Sequence, residues 1–195
     1  VFDGAATDPY TEDDPVSPVS VYGESKAAGE AAVRDRLDRH VIVRTAWVFS
    51  PDGRNFVKSI VAAARRDGAD AKPLRVVEDE IGGPTDAHSL ASALLTIAGA
   101  LAKGTGSAGT YHLAGAPSVS RYAFACRIVA AVESAGGDVP RVTPTTSVEY
   151  PTAARRPARA VLDCARARQV FGLEQPDWRA SLPGVVERCM KAVSK

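Results

Sequence analysis

Residues 40–49 read HVIVRTAWVF, a β-branched and aromatic run with neither proline nor glycine. Such a run suits a strand covered on both faces, the type found in parallel sheets, and the reading is one continuous buried strand. What flanks it alternates between the helical and the extended period. A helix is expected from near Ser17–Ser20, with a serine as N-cap, to about Asp38, and a second over 54–67 with Phe56, Ile60, Val61 and Ala64 on one side. After a turn at 68–73 come a short strand at 74–78, a loop DEIGGPT, a helix DAHSLASALLTIAGALA, a strand GTYHLAG and a helix capped near Ser118 or Ser120. This alternation predicts an α/β layer architecture.

From about residue 138 the pieces shorten. A strand RVTPTT, a proline- and arginine-rich loop YPTAARRPARAVLD and two closing helices near 163–171 and 178–193 predict a small lobe. Residues 5–18, AATDPYTEDDPVSP, read as a surface loop ahead of the first helix. The opening VFDG reads as the end of a buried strand and a turn, so the upstream part of that strand is expected before Val1.

The bulk numbers exclude several roles. The 195 residues suffice for an ordinary domain with a sizeable core, and a formal net charge of +1 supplies no overall field to draw in a polynucleotide or an anionic membrane. Neither nucleic acid nor membrane is an expected partner, and no apolar run approaches the roughly 20 residues a bilayer span needs. Cys126, Cys164 and Cys189 are odd in number and widely spaced, which suggests neither a disulfide framework nor a zinc site and fits a reducing cytoplasm. His40, His88 and His112 lack metal-ligand spacing, so no metal is expected.

Within the first helix, VYGESKAAGE places Tyr22 and Lys26 at i and i+4, on one face. A tyrosine hydroxyl, with an ordinary pKa of about 10, is a poor acid at neutral pH, and a fixed ammonium one turn away favours the phenolate. A tyrosine tuned so can protonate a carbonyl oxygen as hydride reaches its carbon. The spacing alone arises by chance in any helix-rich chain, so its flanks decide. Gly23 and Ser25 beside the tyrosine, the small residues Ala27–Gly29 and the acidic proline loop ahead form a pattern that resembles the dTDP-4-dehydrorhamnose reductase family, a branch of the extended short-chain dehydrogenase/reductases. Further segments are similar to the same family: VIVRTAWVFSPDGRNFVKSI, EDEIGGPT, GTYHLAG and YPTAARRPARAVLD. Together they cover nearly the whole chain.

The resemblance implies a Rossmann-like doubly wound parallel sheet with a small C-terminal α/β substrate lobe. Residues 1–137 would be the later part of an NAD(P)-binding domain, interleaved with lobe segments, and 138–195 the lobe itself. It implies reduction of a dTDP-4-keto-6-deoxy sugar with NADPH or NADH, Tyr22 giving a proton to the sugar C4 oxygen and Lys26 adjusting the tyrosine and hydrogen-bonding the nicotinamide ribose. Trp47 would lie against the sugar or nucleotide, Asn55 would offer an amide to substrate or else cap its helix, and Arg156 would meet a pyrophosphate with its guanidinium fork. Gly83, Pro84 and Thr85 would shape a loop. Two departures touch substrate contacts: Glu80 stands where the family has glutamine, and the serine after the family's Arg-Pro pair is replaced near Ala160.

The glycine-rich turn of such a cofactor fold, and the serine or threonine that completes the triad, are expected upstream of Val1, in roughly 100–130 further residues. The 195 residues alone are therefore expected neither to bind a dinucleotide nor to turn over. Another nucleotide-sugar reductase or epimerase is the neighbouring reading, and a non-catalytic nucleotide-binding regulatory subunit the distant one. The presence of both Tyr22 and Lys26 favours catalysis, since a pure binder needs no tuned phenol. A homodimer is compatible with the pattern, which leaves oligomeric state open.

Overall fold

The computed structural model describes residues 1–67 and 72–192. Most of the turn expected at 68–73, and the last residue of the helix expected to 193, lie outside them. Helix α1 (Val21–Arg36) starts where the Ser20 hydroxyl accepts a hydrogen bond from the Gly23 amide at 3.2 Å. This satisfies one of the N–H groups that a helix start leaves orphaned, and Glu24 adds an acid in the first turn, where the helix dipole favours it. Gly23 is buried against Pro18, and a Cβ there would stand 2.9 Å from the proline Cβ. The first turn can therefore sit directly on the preceding loop.

The run at 40–49 is not one strand. It divides into β1 (Val41–Arg44) and β2 (Val48–Phe49), because Trp47 adopts φ 46°, in the left-handed region that side chains rarely enter. Such backbone costs on the order of 1–3 kcal/mol and persists only where its surroundings hold it. Helix α2 (Phe56–Asp67) and β3 (Leu74–Val77) follow as expected. The segment expected as a bare loop holds two short strands, β4 (Ile81–Gly82) and β5 (Thr85–Asp86), and then come α3 (Ala87–Ala102), β6 (Gly109–His112), β7 (Val119–Ser120) and α4 (Arg121–Ser134). The chain ends with β8 (Val142–Thr145), β9 (Arg159–Ala160), α5 (Ala165–Phe171) and α6 (Trp178–Ala192).

β1 and β6 pair in parallel, Val41 opposite Gly109 and Arg44 opposite His112, with α2 and α3 among the elements of the crossover between them. Every residue of β1 is half-buried rather than buried, since among the described residues β6 covers one edge and no strand pairs with the other. β2 pairs with β5, β3 with β8, and β4 lies between β7 and β9. Apart from β4 and β7 these pairs are parallel.

Two apolar clusters result. The larger packs α2, α4 and α6 around Phe124, whose ring meets Phe49, Phe56 and Trp178 at centroid distances of 5.7, 5.8 and 5.2 Å. The smaller joins Phe2, Tyr10, Ala46, Ala114, Leu162 and Cys164. Residues beyond 138 contribute to both: Val185 and Val186 to the first, Leu162 and Cys164 to the second. Trp47 touches the rim of each. The loop before α1 is pinned by Tyr10, which stacks on Phe2 at 4.2 Å and whose hydroxyl accepts from the Gly4 and Ala6 amides while donating to Asp3.

Candidate active site

One face of α1 borders a cleft of ≈ 330 Å³. The i, i+4, i+8 spacing that makes residues neighbours along a helix brings Tyr22, Lys26 and Glu30 to its wall, and β1 with the two residues after it supplies Arg44, Thr45 and Ala46. Pro157, Arg159 and Ala160 close it from the C-terminal segment, and Val1 and Phe2 also line it. Tyr22 is 72% exposed, and the Lys26 ammonium lies 5.2 Å from the centre of its ring. A phenol open to an incoming group, with a cation on the same helix face, is an arrangement able to deliver a proton.

The helix is held against the sheet by charge. Arg44 donates from Nε and Nη2 to the two Glu30 oxygens at 2.8 and 2.7 Å, both side chains being 9% exposed. Arg34 adds a bond to Glu30 at 3.2 Å, one turn along. Burial pushes the Glu30 carboxyl up, but the hydrogen bonds and charge of Arg44 and then Arg34 outweigh it, so the group sits below the usual carboxylate range. Arg44 also covers the Phe2 ring at 5.1 Å. Next to it, Thr45 Oγ1 and Arg159 Nε are buried with no hydrogen-bond partner among the described residues.

Trp47, Asn55 and Arg156 do not line this cleft. The Trp47 indole is packed between the Gly82 backbone and the Arg121 guanidinium, which lies 3.7 Å from the ring centre. A Cβ on Gly82 would stand 2.6 Å from Trp47 Cε2, so this close approach needs glycine. The kink itself is clasped by Thr85: its hydroxyl donates to Ala46 O at 2.7 Å and accepts from the Gly115 amide at 3.0 Å, and its amide donates to Trp47 O at 3.2 Å. Arg121 is pushed down to about 10 by burial, against the neighbouring charge of Glu80 and with that of Arg156. Glu80, itself buried, lies 3.4 Å from Arg121 and 3.9 Å from Arg156.

Asn55 spends its amide within the protein. Its Oδ1 accepts from the Lys58 amide at 3.1 Å, and its Nδ2 donates to Ser50 O and Asp52 O at 2.8 and 3.3 Å, so capping is the role its bonds display. Arg156 is half-exposed on a neighbouring groove with Asp3, Gly4, Glu80 and Ala158. Pro157 and Arg159 line the cleft, whereas Arg156 and Ala158 line the groove. Thr45, Arg159, and the Glu30–Arg44 pair were not singled out from sequence. Nothing local in the sequence marks Thr45 or sets Arg159 apart from the arginines near it. Among the described residues no group of three or more His, Cys, Asp or Glu is placed to hold a metal ion, and no helix is long and apolar enough to cross a membrane.

Comparison with known proteins gives one consistent picture. The model of the RmlD substrate binding domain family matches residues 1–191. The chain is 39% identical over 188 residues to the dTDP-4-dehydrorhamnose reductase of Aggregatibacter actinomycetemcomitans, covering 95% of this chain and 63% of that protein. It is 40% identical over 183 residues to the one from Sinorhizobium fredii, covering 93% and 60%. The chain thus spans about three fifths of the length of these relatives. Among solved structures, a dTDP-4-dehydrorhamnose reductase from Clostridium acetobutylicum superposes with a TM-score of 0.82 at 34% identity, over 100% of this chain and 63% of that one. The enzyme of that name from Bacillus anthracis, in complex with NADP, matches with a TM-score of 0.82 at 30% identity, over 95% and 61%.

Proposed function

We propose, since the chain belongs to the RmlD substrate binding domain family, that it carries the proton-donating and sugar-binding part of an NAD(P)H-dependent reductase converting dTDP-4-dehydrorhamnose to dTDP-L-rhamnose. The observation that carries the reading is the Tyr22–Lys26 pair lining one cleft beside the end of a parallel strand, where α/β folds dock their ligands. The three thiols are free, which supports a reducing compartment, and we place the reaction in the cytoplasm.

The Tyr22 hydroxyl gives its proton to the C4 oxygen of the keto sugar, turning the carbonyl into an alcohol. Lys26 keeps a positive charge beside the oxygen left anionic, and its remaining N–H donors suit ribose hydroxyls. When bound, NADPH or NADH would supply the hydride to C4 of the sugar. The cleft fits such a group through Lys26, Thr45 and Arg159, the last two bringing buried polar atoms with no partner among the described residues. Glu30 and Arg44 do no chemistry; they fix the helix face from which Tyr22 projects.

Oxidation of NADPH by the gene product that carries this chain, with dTDP-4-dehydrorhamnose as substrate, tests the assignment. Tyr22→Phe removes the only proton the side chain can give and should lower kcat by roughly 10²- to 10⁴-fold with the fold intact. Undiminished turnover in that variant removes Tyr22 from the mechanism.

A further inference from the structure

Backbone held in a sparsely populated region gathers at ligand clamps and active sites, where neighbouring bonds over-determine it, and Trp47 at φ 46° is such a residue. One buried hydroxyl does most of the holding. Thr85 is fully buried, and three chain segments converge on its Oγ1. The hydroxyl proton goes to Ala46 O at 2.7 Å, with Gly83 O next nearest at 3.1 Å, and the oxygen accepts from the Gly115 amide at 3.0 Å. The Thr85 amide donates to Trp47 O at 3.2 Å, so the carbonyls on both sides of the kink are held by this one residue. The segments have no slack, since a Cβ on Gly115 would stand 1.9 Å from Pro84 O.

The held peptide lies at the candidate site. β1 pairs with β6 and β2 with β5, so the chain leaves one sheet for another between Arg44 and Val48. Thr45 and Ala46, in that gap, line the cleft with Tyr22 and Lys26, whereas Thr85 itself does not reach it. If its carbonyls are released, a kinked chain at a cleft relaxes toward ordinary backbone and carries the wall with it. We infer that Thr85 is a positioning residue for this cleft: its hydroxyl fixes the Ala46–Trp47 peptide, and with it the wall against which the keto sugar is oriented toward Tyr22. This rests on the reductase reading and goes beyond the loop-shaping role that the sequence suggests for Gly83, Pro84 and Thr85. The leverage is large, because a misplacement of about 1 Å by a residue remote from the chemistry can cost roughly 10²-fold in rate.

Turnover of dTDP-4-dehydrorhamnose with NADPH is measured on the gene product carrying this chain, as wild type, Thr85→Val, Thr85→Ser and, as a control for lost stability, Ile128→Val in the larger cluster. Valine keeps the shape and loses the hydroxyl, while serine does the reverse. Thr85→Val should lower kcat by roughly 10- to 100-fold with KM within about threefold, and Thr85→Ser should stay within about threefold of wild type in both. Ile128→Val lowers Tm but should keep kcat within about twofold, which separates positioning from stability. The inference is overturned if Thr85→Val turns over within about threefold of wild type, if its loss lies in KM alone, if Thr85→Ser falls as far, or if Ile128→Val loses as much. If wild type does not reduce the keto sugar, the reductase reading fails, and amide hydrogen exchange over residues 44–48 decides the clasp by itself. Exchange about tenfold faster or more in Thr85→Val but not in Thr85→Ser then supports the inference, and anything less overturns it. Should Thr85→Val fail to fold, Thr85→Ala takes its place under the same limits.

Discussion

Replacing Glu30 by alanine strands the Arg44 guanidinium, which is 9% exposed and loses both of its short bonds at once. Breaking a buried pair by removing one partner costs roughly 3–5 kcal/mol, because an uncompensated charge remains. Arg44 keeps its stacking on Phe2, and both residues border the cleft, through which water can reach the stranded group, so the lower end, about 3 kcal/mol, is the expected loss. For a chain of this size that lowers Tm by roughly 6–12 °C. Glu30→Gln keeps the acceptor and loses the charge, so about half the effect is expected. The pH dependence has a definite sign. The carboxyl is held below its usual value of 4.5 in the fold, so its stabilisation is complete above that value and is lost as pH falls through the lowered one. The difference in stability between wild type and Glu30→Gln, followed by circular dichroism during thermal unfolding, should be full at pH 7 and shrink steadily below pH of about 4.5. A Glu30→Ala protein within about 0.5 kcal/mol of wild type at pH 7 would refute the reasoning, as would a gap that does not change with acid.

Gly82→Ala should displace the Trp47 indole, since the added carbon would stand 2.6 Å from Cε2. A loss of about 1–3 kcal/mol in urea unfolding, with a shifted tryptophan emission, is expected, and unchanged emission and stability would contradict the packing described. His112 is fully buried, and burial, against the charge of Glu12 and with that of Arg44, pushes its imidazole down. The unfolded chain therefore takes up a proton near pH 6.5 before the folded one does, so stability should fall as pH drops from about 7 to 5, and the profile should flatten in His112→Gln. Equal slopes for the two proteins over that interval would show that His112 does not titrate as described.

What could be read from sequence was what lies close along the chain. The Ser20 cap, the Tyr22–Lys26 spacing and the α2 face of Phe56, Ile60 and Ala64 all act within one or two helical turns, where residue order fixes geometry. The kink at Trp47 could not be read, because neither glycine nor proline marks it; Thr85, Gly82 and Arg121, which hold it, are brought in by the fold. β4 and β5 contain two residues each, too few for any period to register. Arg156 was singled out in a proline- and arginine-rich stretch, but the fold sets Arg159 on the Tyr22 cleft and Arg156 on the neighbouring groove, which no local pattern announces. Asn55 had two readings that sequence left level, and its three hydrogen bonds within the protein favour the cap.

The order in which the larger cluster is assembled has a consequence during synthesis. Val57, Ile60, Val61 and Ala64 of α2 are made early, and Phe124, Ile128 and Val132 of α4 much later, yet the wedge that closes them, Trp178, Leu182, Val185, Val186 and Cys189, comes from α6. Until that helix has left the ribosome, the first two present their apolar sides to water with nothing to seal them. Contacts of such long sequence separation form slowly, and a nascent chain in this condition is a natural client for a holdase. The helix face with Tyr22 and Lys26 is set by local order, whereas the cluster around Phe124 waits for α6 to be delivered.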